Sequence, residues 1–173
     1  MIELLVLNAL LKRDTTMYGV SKYIEENFAP FTRPSFGAIK PALRRLENNG
    51  FITSRKSMSD GGKLSVFYTI SKTGKDEFIR LMLEPLSENP LQFFSDARVK
   101  LSCAISLNQD EKKKLFFQIK FLAQKHKTAA ENILNNEYNQ LSFYQKIILD
   151  NAVCEYKNFI TIIEGLERDN KQN

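Results

Sequence analysis

From Leu91 to the end of the chain there is no proline, and the only glycine is Gly165. A stretch of that length without the residues that supply tight turns has few ways to change direction, so it reads as consecutive helices. Asn108-Gln-Asp-Glu111 resembles a capping box with asparagine as the cap, separating a helix over about Phe93–Ser106 from one that begins near Gln109. In the second of these, Leu115, Ile119, Leu122, His126, Ala129 and Ile133 recur at heptad spacing. Asn135–Gln140 is the candidate turn. The last helix carries Leu141, Ile148, Ala152, Tyr156, Phe159, Ile163 and Leu166 and ends in a polar tail, Glu167–Asn173, expected to fray. Helices with such long apolar seams need a covering surface, and a second copy of the chain is the economical one.

The first part is patterned differently. Ile2–Lys12 is apolar around most of its circumference, which implies a helix packed on several sides in a core or an interface. Thr15–Gly19 breaks the pattern. Val20, Tyr23, Ile24 and Phe28 then give a second helix ending near Asn27, and Pro30 and Pro34 prevent it from running on. Phe36, Ile39, Leu43 and Leu46 mark one face of a third helix about four turns long, with Ser35 as N-cap, Gly50 as stop and a tight or bent start near Pro41. After Gly50 the period changes to two. Leu64, Val66, Tyr68 and Ile70 alternate with Ser65, Phe67 and Thr69, Phe51–Ser57 is a shorter β-branched run, and Met58–Lys63 supplies the hairpin tip. Ser71 caps a fourth helix with Phe78, Leu81 and Met82, and Pro85 and Pro90 punctuate its end. Helix, helix, helix, hairpin is the order of a winged helix-turn-helix. The expected fold is mainly α, with α+β character in the N-terminal part: a winged helix-turn-helix over residues 1–87 and an all-helical dimerisation and effector domain over 88–173.

The 173 residues are 43% hydrophobic, enough for a real core, and carry a formal charge of +5. That excess is local. Residues 1–75 hold twelve Lys or Arg against six Asp or Glu, whereas the remainder holds thirteen against fourteen. Arg33, Lys40, Arg44, Arg45, Arg55, Lys56 and Lys63 face only Glu47 and Asp60 within Arg33–Lys63. Such a concentration suits a polyanion, with a solvated basic face as the alternative. Sequence readers enter DNA by the first turns of a recognition helix, so Ser35, Phe36, Gly37 and Lys40 are candidates for base edges, and Arg33, Arg44, Arg45 and Lys63 for phosphates. For Arg45 a surface ion pair with Glu47 or an acid of the second helix competes with that role.

Other chemistries find little support. Cys103 and Cys154 are distant from each other, lack metal-ligand neighbours and read as small core residues, so neither a metal nor a disulfide framework is expected. The opening segment has Glu3 where a signal peptide needs positive charge and is too short to span a bilayer, which points to a cytoplasmic protein with no membrane partner. His126, the only histidine, sits in a helical seam with no Ser, Cys or acid placed to enlist it; a packed or interface residue is the main reading and a pH-sensing one the minority. No phosphate loop, cofactor motif or enzyme signature occurs. Among thirteen phenylalanines, Phe93 and Phe94 begin the helical region. They read either as core and dimer interface or as a pocket for a small, flat aromatic effector.

Three segments carry a family likeness. Tyr18-Gly19, Ile39-Lys-Pro-Ala-Leu-Arg-Arg-Leu-Glu-Asn-Asn-Gly-Phe-Ile52 and Tyr68-Thr-Ile-Ser-Lys-Thr-Gly74, spread over about residues 1–85, resemble the PadR-like transcriptional regulators, and the long helical region is similar to the dimerisation region of the longer members. The resemblance implies a homodimeric repressor whose two recognition helices enter successive major grooves of a palindromic double-stranded operator, released by a small molecule or stress signal. Two departures stand out. Lys40 replaces the tyrosine usual before the proline, and Lys63 is the nearest cation to the Tyr68 strand where the family often has an arginine beside it. A winged-helix module used only for protein association is the competing function.

Overall fold

The computed structural model describes residues 1–58, 62 and 64–172. Its elements are α1 (Ile2–Lys12), β1 (Thr15–Thr16), α2 (Met17–Phe28), α3 (Phe36–Asn48), β2 (Ile52–Met58), β3 (Leu64–Ile70), α4 (Lys72–Leu83), α5 (Pro90–Cys103), a 3-10 turn (Ala104–Ser106), α6 (Gln109–Leu134) and α7 (Phe143–Gln172). Contacts group them into two compact units, one of Met1–Glu84 with Arg98–Ser106, the other of Pro85–Ala97 with the residues from Leu107 onward. Arg98–Ser106 thus clusters with the N-terminal unit.

In the first unit α1 is the centre. Its residues Leu4–Leu10 are all buried, because α2, α3, α4 and β3 each pack against it. A helix covered on every side needs no polar face, which is why its sequence reads as an almost unbroken apolar run. Each fully buried leucine contributes about 1.5–3 kcal/mol. Asn8, the polar member, is satisfied by donating to the Tyr23 hydroxyl at 3.1 Å.

The break expected at Thr15–Gly19 holds an element of its own. Thr15 and Thr16 form β1, paired antiparallel with Tyr68 and Phe67, so the sheet runs β1-β3-β2. The Thr16 hydroxyl also accepts the Gly19 amide at 3.2 Å as the N-cap of α2. β2 and β3 pair in register from Ile52 opposite Ile70 to Met58 opposite Leu64. The expected one-sided face of β3 is only half realised: Tyr68 and Ile70 are partly buried, but Leu64 and Val66 are exposed. Burial is confined to the end of the hairpin that joins α3 and α4. The tip, expected at Met58–Lys63, lies mostly outside the described residues.

That joining end is tightly specified. Gly50 takes φ of +73°, the left-handed conformation that ends α3 without a β-carbon clash. Ser71 Oγ donates toward the Gly50 and Phe51 carbonyls at 2.8 and 2.9 Å and accepts the Gly74 amide at 3.0 Å as the cap of α4. Gly74 is needed for space, since a β-carbon there would collide with the Phe51 carbonyl oxygen. Phe78, Leu81 and Met82 are buried, as their spacing predicts. Lys100, itself buried, donates to the Glu84 carbonyl at the end of α4, and Cys103 is a core residue whose thiol burial pushes up to about 12.

In the second unit the Asn108 capping box forms as expected, with Asn108 Oδ1 accepting from the Glu111 amide at 3.0 Å and Glu111 Oε2 from the Asn108 amide at 2.8 Å. α6 packs along α7, burying Leu115, Ile119, Leu122 and Ala123 against Val153, Tyr156, Phe159 and Ile163. The heptad seam drifts. Ala130 is buried in place of Ala129, and Ile133 is exposed, because an unsupercoiled α-helix rotates away from a seven-residue repeat. Several expected boundaries also move: α5 starts at Pro90 and yields to the 3-10 turn after Cys103, and α7 starts at Phe143 and continues through Gln172. Ser142 Oγ and Gln145 Oε1 accept each other's backbone amides at the start of α7, a second capping box legible as Ser-x-x-Gln. Cys154 is exposed, not core; its neighbour Val153 takes the inward position.

Candidate nucleic-acid interface

α3 has the two faces its sequence requires. Ile39, Ala42, Leu43 and Leu46 are buried, while Lys40, Arg44 and Arg45 are exposed. Phe36 departs from the expected apolar stripe and is 46% exposed. It occupies the first helical position, beside exposed Ser35 and Gly37. Ser35 is the N-cap by position, but its side chain makes no capping hydrogen bond; its carbonyl accepts from Ala38 and Ile39. The helix start therefore presents amide donors, the positive end of the helix dipole and a short hydroxyl on one exposed surface, which suits an anionic oxygen. Pro41 is accommodated inside an unbroken helix.

The cations differ in how they are held. Among the described residues, neither Lys40 nor Arg44 makes an ion pair, and they lie one turn apart. Arg44 and Glu47 both act on the Tyr68 phenol, whose pKa is raised first by burial and then by Glu47, with Arg44 opposing. Arg45 is committed to an acid: its Nε donates to Glu3 Oε1 of α1 at 2.6 Å. The partner lies on α1, whereas the sequence pointed to Glu47 or α2; Glu47 instead accepts from Ser54 of β2. Arg33 lies on the connection before α3, lining a small cleft of about 180 Å³ with Ser21, Ile24, Glu25 and Pro34. Lys63 lies outside the described residues. Arg55 of β2 sits 3.7 Å from Asp14 and over the Phe67 ring, 5.6 Å from its centre, so it braces the hairpin. Lys56, opposite Val66, is exposed and makes no ion pair among the described residues, a wing cation that the charge count included without giving it a role.

Phe93 and Phe94 lie in the second unit among other rings. Phe94 stacks on Tyr156 at 4.9 Å, both phenylalanines approach Phe159, and Phe93, fully buried, also meets His126 at 5.5 Å. Among the described residues no cluster of His, Cys, Asp and Glu is arranged to hold a metal, and no helix is long and apolar enough to cross a membrane.

A basic helix backed by a buried face, preceded by two helices and followed by a two-stranded wing, defines a winged helix-turn-helix protein. Residues 6–80 match the model of the transcriptional regulator PadR-like family. It is 22% identical over 168 residues to the negative transcriptional regulator PadR of Bacillus subtilis, spanning 93% of this chain and 92% of that one. The B. subtilis PadR structure in complex with operator DNA is 21% identical with a TM-score of 0.47, and the one in complex with p-coumaric acid is 21% identical with a TM-score of 0.44. Each covers 98% of both chains.

Proposed function

We propose that this protein is a PadR-like transcriptional regulator, a homodimeric, sequence-specific repressor that works in the cytoplasm, with residues 1–87 reading a palindromic operator and residues 88–173 supplying dimerisation and response to an effector. The observation that carries the reading is the exposed start of α3, where Ser35, Phe36, Gly37, Lys40 and Arg44 share one surface backed by a rigid core. Repression is supported by the negative regulation named for the B. subtilis relative. Ser35, Phe36, Gly37 and Lys40 reach base edges, while Arg33, Arg44 and Lys63 contact phosphates. Arg45 contributes to the phosphate field with a guanidinium that Glu3 holds in place.

Operator binding by Lys40→Ala and Arg44→Ala tests this. Lys40→Ala should cost roughly 1–3 kcal/mol and relax preference at one base position, as loss of a base contact does. Arg44→Ala should weaken all sequences alike and reduce the salt slope by about one. Two variants with undiminished operator affinity would remove α3 from the interface and leave a winged helix used for protein association. For release, p-coumaric acid is the first small aromatic compound to titrate. An effector acting at Phe93 and Phe94 has to part the Phe94–Tyr156 stack, so Phe94→Ala should change the release curve while leaving effector-free affinity intact.

A further inference from the structure

We propose that His126 is an acid-responsive element of the second unit: its neutral ring joins α5, α6 and α7, and its protonation loosens them. The geometry points there first. The imidazole of α6 stacks on Tyr156 of α7 at 5.6 Å, meets Phe93 of α5 at 5.5 Å, and Phe93 in turn contacts Phe159 at 6.0 Å. Its Nε2 is shut away from solvent and has no hydrogen-bond partner among the described residues. A neutral imidazole can leave this nitrogen as an unprotonated acceptor, but the imidazolium puts an N–H donor there with nothing to receive it.

The charged and titratable groups around the ring are few. Glu88, in the segment before α5, attracts the protonated form; Lys125, on α6 itself, repels it; α7 presents the Tyr156 phenol and α5 the uncharged Phe93. Glu88 is also paired with Lys125 at 2.8 Å, which blunts its pull on the imidazole. Contact with the Phe93 and Tyr156 rings gives an imidazolium some cation–π stabilisation. Burial outweighs both attractions and, with Lys125, holds His126 below its ordinary value of 6.5. The folded unit therefore favours the neutral ring. Packing strength is complete above the ordinary value and is lost as pH falls from there toward the lowered one.

His126 is the chain's sole histidine, so its ring-proton resonance in the full-length protein reports this site without ambiguity. We expect a titration midpoint below 6.5, shifted further down in Glu88→Gln and upward in Lys125→Gln. The thermal midpoint of the wild type should fall on going from neutral to mildly acidic pH by more than that of His126→Phe, which cannot take up the proton. If His126→Phe does not fold, His126→Gln serves as the comparison, and the resonance titration requires no variant. A midpoint at or above 6.5, or the same loss of thermal stability on acidification with and without the imidazole, would overturn the proposal. None of these readings involves DNA, so they stand apart from the test of operator binding.

Discussion

At residue 74 one methyl group separates a working chain from a strained one. The Gly74 backbone lies against the Phe51 carbonyl, so Gly74→Ala has to push the base of the hairpin away from α4, and it should destabilise the protein by about 1–3 kcal/mol in urea unfolding. Gly37 is the contrasting case. Its nearest neighbour for an added β-carbon is Ser35 Oγ at 3.8 Å, so Gly37→Ala meets no clash and should raise stability by about 0.5–1 kcal/mol through helix propensity. If the start of α3 approaches DNA as proposed, the same substitution should weaken operator binding. A more stable variant with unchanged affinity would place that surface away from the bases. Residues whose role is local were legible in the sequence: Gly50 as a stop, and Ser71 and Asn108 as caps, are recognised by chemistry within three residues of themselves. Phe36 and Cys154 were not, because their exposure depends on what stands opposite them, and no local pattern encodes that. Arg45 shows the same limit, since its acid is 42 residues away on α1.

Elements were legible in proportion to their length and periodicity. α1, α3, β3 and α6 form where their periodic runs place them, whereas β1 is two residues long and exists only because β3 lies beside it. Two threonines before a helix carry no period, so nothing short of the sheet itself reveals them. In α6 the heptad reading held through His126 and failed after it, where 3.6 residues per turn carried Ala130 inward. The capping boxes fix where these helices begin. Asn108→Ala removes the acceptor for the Glu111 amide at the start of α6, and thermal unfolding should register a loss of roughly 0.5–2 kcal/mol. The Arg45–Glu3 pair joins α3 to α1 across partly exposed side chains, so a double-mutant cycle should assign it no more than about 1 kcal/mol, small beside the buried leucines of α1.

For the whole molecule, the question is what covers α7. α1 has no need of a second subunit, because its own unit encloses it, and Ile163 is fully buried within the single chain. Another set of α7 side chains is uncovered: Phe143, Tyr144, Ile147, Ile148, Ile162 and Leu166 are exposed, several at i, i+4 spacing. Near one end, Ile133, Leu141, Tyr144, Gln145, Ile148 and Leu149 line an apolar cleft of about 440 Å³. An apolar stripe of this kind on a helix already packed along its other side fits a subunit interface. Ile148→Asp combined with Ile162→Asp should therefore yield a folded monomer in sedimentation, because these residues are 68% and 46% exposed in the single chain. Ile163→Asp should instead unfold the α6–α7 pair, so its effect cannot report on association. Loss of the dimer should weaken operator binding far more than binding to a half-site, since two recognition helices about 34 Å apart no longer act as one ligand. A double variant that remains dimeric would place the interface on another surface. One that turned monomeric yet held the full operator as tightly as before would show that a single winged helix suffices for recognition.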